Sequence, residues 1–265
     1  MRTLCSLLML CLLMPITSMA TNVNHDEWNR LLNAHVVSIR DGHSTEVDYQ
    51  GFDNDRPQLT RYLNSLSAVS KSDFDQWPLN AQLAFLINAY NAWTVELILT
   101  EWPDLDSIKD IGGFFSNPWK RSFIPLFGEQ VSLDDIEHKM IRGWGRYNDP
   151  RIHFAVNCAS IGCPALLEEA YTSELLETQL ESQTQRFLAD DSRNRASGNT
   201  LELSSIFKWY KEDFEKGWMG YTSLFDFLAS YQEALHLTDE QQRKLSKHDL
   251  EIDYLSYNWA LNSTN

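Results

Sequence analysis

The chain has 265 residues, of which 43% are hydrophobic and 22% charged, a composition that excludes collagen, coiled coils and wholesale disorder. Its 22 Lys and Arg residues stand against 37 Asp and Glu residues, so the formal charge is -15 and the surface repels nucleic-acid phosphates and anionic lipid headgroups. We therefore expect neither nucleic acid nor a membrane among its partners.

The first 20 residues have the pattern of a secretory signal peptide. Arg2 supplies a positive charge, residues 4–16 are mainly apolar, and Ser18-Met19-Ala20 is a small-x-small cleavage sequence. A retained membrane anchor is the alternative, but the apolar run is shorter than the about 20 residues that span a bilayer. We expect residues 21–265 to form a single exported domain, periplasmic or extracellular.

Hydrophobic periodicity predicts an α+β fold, a helix-rich single domain with a small sheet. No repeat or low-complexity linker interrupts the pattern. Predicted helices cover residues 25–36, 57–66, 80–102, 133–142, 173–188, 207–214 and 223–234; extended segments cover 45–49, 151–157 and 251–254; and an irregular aromatic loop bounded by short strands covers 110–130.

The predicted helix over residues 80–102 is apolar on nearly every side, which is typical of a helix buried on most of its surface. Asn88 and Asn91 lie three residues apart on one face, and a buried amide without partners costs roughly 1–3 kcal/mol. These two amides either brace a neighbouring loop or line a site, where they would bind substrate or give polar support.

Ser132 and Asp135 form a capping pattern at the start of the predicted helix over residues 133–142. Glu137 falls inside the apolar arc of this helix, and His138 falls on its flank. Because a carboxylate is seldom buried without a partner, we expect Glu137 to meet a cation, an imidazole or several N–H groups. The residue belongs either to a structural salt bridge or to a site.

Residues 151–157 alternate apolar and other side chains, which predicts a half-buried strand with His153 and Asn157 on one face. Cys158 follows directly. If the strand continued through Cys158, about 16 Å would separate it from His153, at about 3.3 Å per residue. A pairing of the two therefore requires a bend at Asn157, or else the base is His138 or His248.

Several separated motifs together resemble the domain of unknown function 547 (DUF547) family. They are Ala84-Phe85 with Asn88-Ala89-Tyr90-Asn91, the run 132–138, and the run 153–158 with Cys163-Pro164. The resemblance extends over about residues 28–262 and ends in Tyr257-Asn258-Trp259. It implies no settled activity. The closing motif of the family usually reads Tyr-Asp-Trp, so no charged role is assigned to Asn258.

The leading functional hypothesis is a thiol hydrolase or acyl transferase, distantly like papain or transglutaminase, acting on a peptide or small-molecule amide. Cys158 would be the nucleophile and His153 the base, while Glu137 and Asn157 would orient the imidazole. Asn88, Asn91 and His138 are the candidates for substrate binding or polar support.

Two other functions fit the same residues. In a non-catalytic structural or binding module, Cys158 and Cys163 would form a disulfide, as two cysteines five apart can in an oxidising compartment. A metal site would use His138, His153 and the two cysteines, or Glu137 in place of one of them, although their spacing lacks a tight paired motif. A dithiol oxidoreductase is weaker still, because four residues separate the cysteines. We expect no cofactor and no metal, and the sequence does not specify an oligomeric state.

Overall fold

The structure, a computed structural model, describes residues 23–112 and 117–264. The predicted signal peptide lies outside these residues, as does part of the predicted aromatic loop. Among the helices of the two described ranges, none combines the length and the apolar character needed to cross a bilayer.

The fold is α+β, as predicted, and consists of helices joined by short hairpins. The α-helices of the described chain are α1 (Asp26–His35), α2 (Tyr49–Asn54), α3 (Arg56–Ser67), α4 (Lys71–Phe74), α5 (Leu79–Leu99), α6 (Leu176–Leu188), α7 (Ser205–Trp209), α8 (Lys211–Phe214), α9 (Leu224–Ser230) and α10 (Asp239–Leu245). The strands are β1 (Val36–Ile39), β2 (Ser44–Val47), β3 (Ile124–Leu126), β4 (Glu129–Val131), β5 (Arg195–Ser197), β6 (Thr200–Ser204) and β7 (Glu251–Leu255).

The strands form three small sheets. β1 pairs with β2 and β3 pairs with β4, both antiparallel. In the third sheet β6 lies between β5, which is antiparallel to it, and β7, which is parallel to it with Leu203 opposite Tyr254. The extended segment predicted near residue 251 is confirmed as β7, and the helix predicted over residues 207–214 is present as two short helices.

Two hydrophobic cores pack side by side. The first core surrounds α5, whose residues are almost all buried, and includes Trp28, Phe85 and Ile136 from three different helices. The second core is rich in phenylalanine and gathers residues from α6 to α10; its central side chains are Phe154, Phe187, Phe207, Phe214 and Phe227. Stacked and tilted ring contacts of this kind add to the free energy gained from apolar burial.

The strand predicted over residues 151–157 is wrong: the chain forms a 3-10 helix over Pro150–Phe154. Pro150 suits the first helical position, and the Asp149 carboxylate accepts a hydrogen bond from the Arg151 N–H at 2.9 Å, which caps the turn. The apolar alternation reflects two cores rather than two faces of a strand, since Phe154 lies in the second core while Ile152 lies in the first. The 16 Å strand spacing therefore does not apply.

Candidate functional site

A cavity of about 230 Å³ takes its walls from both cores. Glu137, His138, His153, Cys158 and Cys163 all line it, so the fold gathers the predicted acid, imidazoles and sulfurs around one hollow. The remaining lining residues are Tyr90, Asn117, Trp119, Asp134, Val156, Pro164, Ile206, Trp209, Tyr210, Tyr257 and Trp259.

One wall, the sulfur wall, consists of the loop 158–163 and Tyr257. Cys158 and Cys163 are joined by a disulfide, with an S–S distance of 2.05 Å and a Cα–Cα distance of 6.1 Å. Cys158 is partly exposed, whereas Cys163 is 3% exposed. The bond fits the disulfide predicted for a structural or binding module, and a nucleophilic Cys158 requires its reduction.

The chain terminus holds the sulfur wall in place. The N–H groups of Ile161 and Gly162 donate to the carbonyls of Ala260 and Asn258, each at 2.8 Å. A Cβ atom on Gly162 would lie 2.9 Å from the ring of Tyr257, closer than side chains normally approach. Glycine at this position therefore lets the Tyr257 ring pack against the loop beside the disulfide.

Buried amides brace the same loop from behind. Asn91 accepts from the Asn157 N–H at 2.8 Å and donates to the Ala155 carbonyl at 3.0 Å. Asn157 in turn donates to the Pro164 carbonyl at 2.8 Å and accepts from the Ala159 N–H at 2.9 Å. The side chains of Asn91 and Asn157 therefore hydrogen-bond to backbone groups of the loop and fix its shape, and neither of them lines the cavity.

Asn88 braces a different segment. Its amide group makes a two-way pair with the backbone of Tyr171, donating at 2.8 Å and accepting at 3.0 Å. Of the two roles considered for Asn88 and Asn91, bracing of a neighbouring loop is the one their contacts describe. Neither residue lines the cavity described above.

Another group, the imidazole wall, consists of His153, Tyr210 and Glu137, which line the cavity, together with Asp213, which bonds to His153, and Arg142, which bonds to Asp213; neither of these last two is in the lining. His153 Nε2 lies 2.8 Å from Asp213 Oδ2, and the guanidinium Nε of Arg142 donates to the same oxygen at 2.5 Å. Lys216 donates to the other carboxylate oxygen. The Tyr210 ring stacks on His153 with 3.9 Å between centroids.

Burial and the neighbouring charges together set the protonation state of the imidazole. Burial acts to raise the pKa of Asp213, but hydrogen bonds from His153, Arg142 and Lys216 outweigh it and hold the pKa well below its ordinary value. Burial lowers the pKa of His153, against the opposing effect of Asp213. A neutral imidazole beside an ionised carboxylate carries its proton on Nε2, where it can donate to Asp213.

His153 Nδ1 is then a lone-pair acceptor. It is buried and makes no hydrogen bond within the described residues. His138 differs, because Arg142 lies 2.7 Å from its Nδ1 and occupies that nitrogen. His248 lies elsewhere, stacked on Phe225. Of the three histidines considered as a base, His153 lines the cavity, is held by a carboxylate through Nε2 and keeps Nδ1 without a hydrogen bond within the described residues.

Glu137 comes from a π-helix over Asp135–Ile141, which the predicted Ser132 and Asp135 cap begins. Its carboxylate accepts a hydrogen bond from the Tyr210 hydroxyl at 2.7 Å. Burial, together with the nearby Glu137 charge, raises the pKa of Tyr90 well above its ordinary value. The predicted need of Glu137 for a partner is met by a hydroxyl, with the His138 imidazole 3.9 Å away.

An aromatic rim of Trp119, Trp209, Tyr257 and Trp259 lines the cavity. Trp209 is 47% exposed and stacks on Trp259 with 5.7 Å between centroids. From the sequence, tryptophans dispersed at helix ends and in loops favour core packing, so this rim was missed.

Sequence reasoning also missed Asp213 and Tyr210. They lie three apart in the segment predicted as a helix over residues 207–214, a weak signal that they share a face. Nothing in the sequence connects them to His153, about 60 positions earlier. Within the described part of the chain, no group of three His, Cys, Asp or Glu side chains is arranged to hold a metal ion.

Comparison with known families confirms the resemblance over part of the chain. Residues 74–188 match the model of the family described as "Protein of unknown function, DUF547", so the resemblance is shown for this segment. It holds Glu137, His153 and the disulfide, whereas Asp213 and Tyr257 lie beyond it. No curated protein and no solved structure matches the chain, and the likeness to papain or transglutaminase is not confirmed.

Proposed function

We propose that the cavity is the active site of a thiol-dependent hydrolase or acyl transferase that acts on a small amide or peptide substrate once its disulfide is reduced. The observation that supports this most is that Glu137, His153 and Cys158 line one cavity. Glu137 is 16 residues before His153 in the sequence, so it is the fold that brings these side chains to the same cavity.

In the proposed reaction, His153 Nδ1 takes the proton of the reduced Cys158 thiol. The thiolate attacks the substrate carbonyl carbon, and the leaving amine receives the proton from the imidazole. Water or a second amine then releases the acyl group from the sulfur. Asp213 keeps the imidazole in the tautomer that presents Nδ1, and stabilises the positive charge that forms on it.

Export belongs to the same proposal. The leader pattern of residues 1–20 and the Cys158–Cys163 disulfide both suit an oxidising compartment. In that compartment most of the protein would hold Cys158 in its oxidised form, and turnover would depend on a supply of reductant.

A matched pair of cysteine variants tests the proposal. Cys158→Ala and Cys163→Ala both remove the disulfide, and only Cys158→Ala removes the nucleophile. With a panel of small aminoacyl p-nitroanilides and p-nitrophenyl esters, we expect hydrolysis by the reduced wild type and by Cys163→Ala without reductant. Cys158→Ala should be at least about 100-fold slower.

Hydrolysis that persists in Cys158→Ala, or that is equal in oxidised and reduced wild type, would contradict the proposal. Absence of turnover by Cys163→Ala across the panel would also count against it. A folding control by circular dichroism distinguishes loss of chemistry from loss of structure.

A binding module is the second candidate, and the disulfide favours it. If the bond is permanent, the aromatic rim and the carboxylates of Asp134 and Glu137 would hold a small ligand without reaction. In that case a ligand found by thermal-shift screening should bind with equal affinity before and after reduction, and Cys158→Ala should bind it as the wild type does.

A further inference from the structure

The two sulfurs of the disulfide have unequal surroundings. Both cysteines line the cavity, but Cys158 is partly exposed, while Cys163 is 3% exposed. A nucleophile that enters the cavity therefore reaches Cys158 first. Attack there would leave Cys163 as the departing sulfur.

Hydrogen-bond donors surround the disulfide, and one of them, the Cys158 N–H, contacts Cys163 alone. The backbone N–H of Cys158 donates to Cys163 Sγ at 2.9 Å, and the Tyr257 hydroxyl lies 3.2 Å from the same sulfur. Ser160 donates to the Tyr257 oxygen at 3.1 Å and lies 3.3 Å from Cys158 Sγ and 3.6 Å from Cys163 Sγ. The Tyr257 hydroxyl is also 3.2 Å from Cys158 Sγ, so its single proton can turn to either sulfur.

These donors contribute little to the oxidised state and much to the reduced one. A disulfide sulfur is a weak acceptor, whereas a thiolate carries a full negative charge, and hydrogen bonds to charged groups are roughly twice as strong as neutral ones. Burial of Cys163 destabilises the negative charge of its thiolate. Donors that are already in place offset this desolvation cost without any rearrangement of the loop. The loop is therefore arranged around a thiolate that forms only when the bond opens.

We propose that Cys158–Cys163 is an exchange-active disulfide that oxidises small thiols entering the cavity, with Cys158 as the attacked sulfur and Cys163 as the leaving thiolate. This activity is separate from acyl transfer and goes beyond it. It uses the same cavity but requires neither His153 as a base nor an acyl substrate.

The exchange balances with two equivalents of thiol. The first thiolate attacks Cys158 Sγ and forms a mixed disulfide, and the electron pair of the broken S–S bond goes to Cys163. The second thiolate attacks the substrate sulfur of that mixed disulfide and releases Cys158. Two thiols become one disulfide, the cystine becomes two thiols, and the protons pass from the substrates to the cysteines.

The charge of the cavity indicates which thiols it accepts. Asp134 and Glu137 are both in its lining, and a carboxylate raises the energy of a nearby anion. We therefore expect a small neutral or cationic thiol rather than an anionic one. Cysteamine and 3-mercaptopropionate are a matched pair of similar size and opposite charge.

The first experiment determines which cysteine forms a mixed disulfide with a small thiol more readily, by running the exchange from the protein thiol. The single-cysteine variants Cys163→Ser and Cys158→Ser are treated with cystamine, and the mixed disulfide is measured by mass spectrometry. We expect Cys158 in Cys163→Ser to react at least about tenfold faster than the buried Cys163 in Cys158→Ser, because exposure governs access. Equal rates, or a faster Cys163, would overturn the assignment.

The second experiment tests the donors on Cys163. Oxidised wild type is equilibrated with mixtures of reduced and oxidised dithiothreitol, and free thiols are counted after alkylation. Tyr257→Phe should shift the equilibrium toward the disulfide by about tenfold, the size expected for loss of one hydrogen bond to a charged group. Tyr254→Phe, on β7 and away from the cavity, is the control and should leave the equilibrium unchanged.

If Tyr257→Phe does not fold, Ser160→Ala serves instead and should shift the equilibrium in the same direction by a smaller factor. An unchanged equilibrium in a folded donor variant would refute the role of the donors. Reaction of wild type with cysteamine no faster than with 3-mercaptopropionate, after each rate is normalised to a free small-molecule disulfide, would refute the predicted charge preference. None of these readouts involves acyl chemistry, so they fail or succeed independently of the proposed hydrolysis.

Discussion

The two walls of the cavity differ in how complete their interactions are. In the imidazole wall, Asp213 is bound by three donors and Glu137 by a hydroxyl, and His153 Nδ1 is the polar atom left over within the described residues. In the sulfur wall, a covalent bond closes the loop, and N–H and O–H groups point at a sulfur that accepts weakly in its oxidised state.

This difference separates stability from reactivity. Removing a member of the imidazole wall leaves a buried charge without its partner, which is costly for the fold. Breaking the Cys158–Cys163 disulfide releases the covalent constraint on the loop. It also creates a negative charge on Cys163, for which hydrogen-bond donors are already present. The imidazole wall should therefore contribute more to the free energy of unfolding, and the sulfur wall should control the chemistry.

The largest expected effect tests the imidazole wall. Asp213→Ala leaves His153, Arg142 and Lys216 without their shared acceptor and should lower the free energy of unfolding by about 3–5 kcal/mol. Urea denaturation measures this. Asp191→Ala, whose side chain is 75% exposed, is the control and should change stability by less than about 0.5 kcal/mol. Equal effects would remove the distinction between the walls.

The second effect concerns the sulfur wall and should be smaller. Closing a loop of this length stabilises by about 2–3 kcal/mol on the chain-entropy model, so Cys163→Ala should lose no more than that. Chemical reduction of the wild type should cost less than Cys163→Ala, because the reduced protein retains a sulfur that the donors can stabilise. A reduced wild type less stable than Cys163→Ala would contradict the arrangement described for Cys163.

The third effect is a dependence of stability on pH. Burial lowers the pKa of His153, and it lowers that of His25 to about 4 against the opposing charge of Asp26. Both imidazoles stay neutral in the fold while the unfolded chain takes up protons below about pH 6.5. Stability should therefore fall as pH falls from about 6.5 toward 4, by at most about 1.4 kcal/mol per pH unit for each group.

Substitutions show which histidines cause the dependence of the free energy of unfolding on pH. His153→Gln and His25→Gln should each flatten the dependence of the free energy of unfolding on pH, and the exposed His236→Gln should not. Thermal denaturation at fixed ionic strength across this range measures the slope. A slope that is unchanged in both buried-histidine variants would show that neither imidazole is held neutral.

Local patterns were predictable from the sequence, whereas long-range contacts were not. The α5 helix, the Ser132 and Asp135 cap and the Cys158–Cys163 pairing considered as an alternative all depend on neighbours within a few residues or on one continuous face. The His153 and Asp213 pair depends on how the second core packs against the first, which no local pattern encodes.

The wrong strand over residues 151–157 shows the limit of periodicity. Alternation of apolar residues indicates a strand when one side of a segment is solvated. Here both sides are buried, Phe154 in the second core and Ile152 in the first, so the same alternation fits a 3-10 helix that crosses between cores. Pro150 after Asp149 was the local signal for that turn.

The rate of Cys158 alkylation by iodoacetamide at pH 7 tests most directly whether the sulfur and the imidazole serve one site. It is measured in Cys163→Ala and in the double variant that also carries His153→Gln, with His236→Gln as the matched second substitution. We expect His153→Gln to slow alkylation at least about tenfold and His236→Gln to leave it unchanged. Equal rates in all three proteins would show that His153 does not act on Cys158.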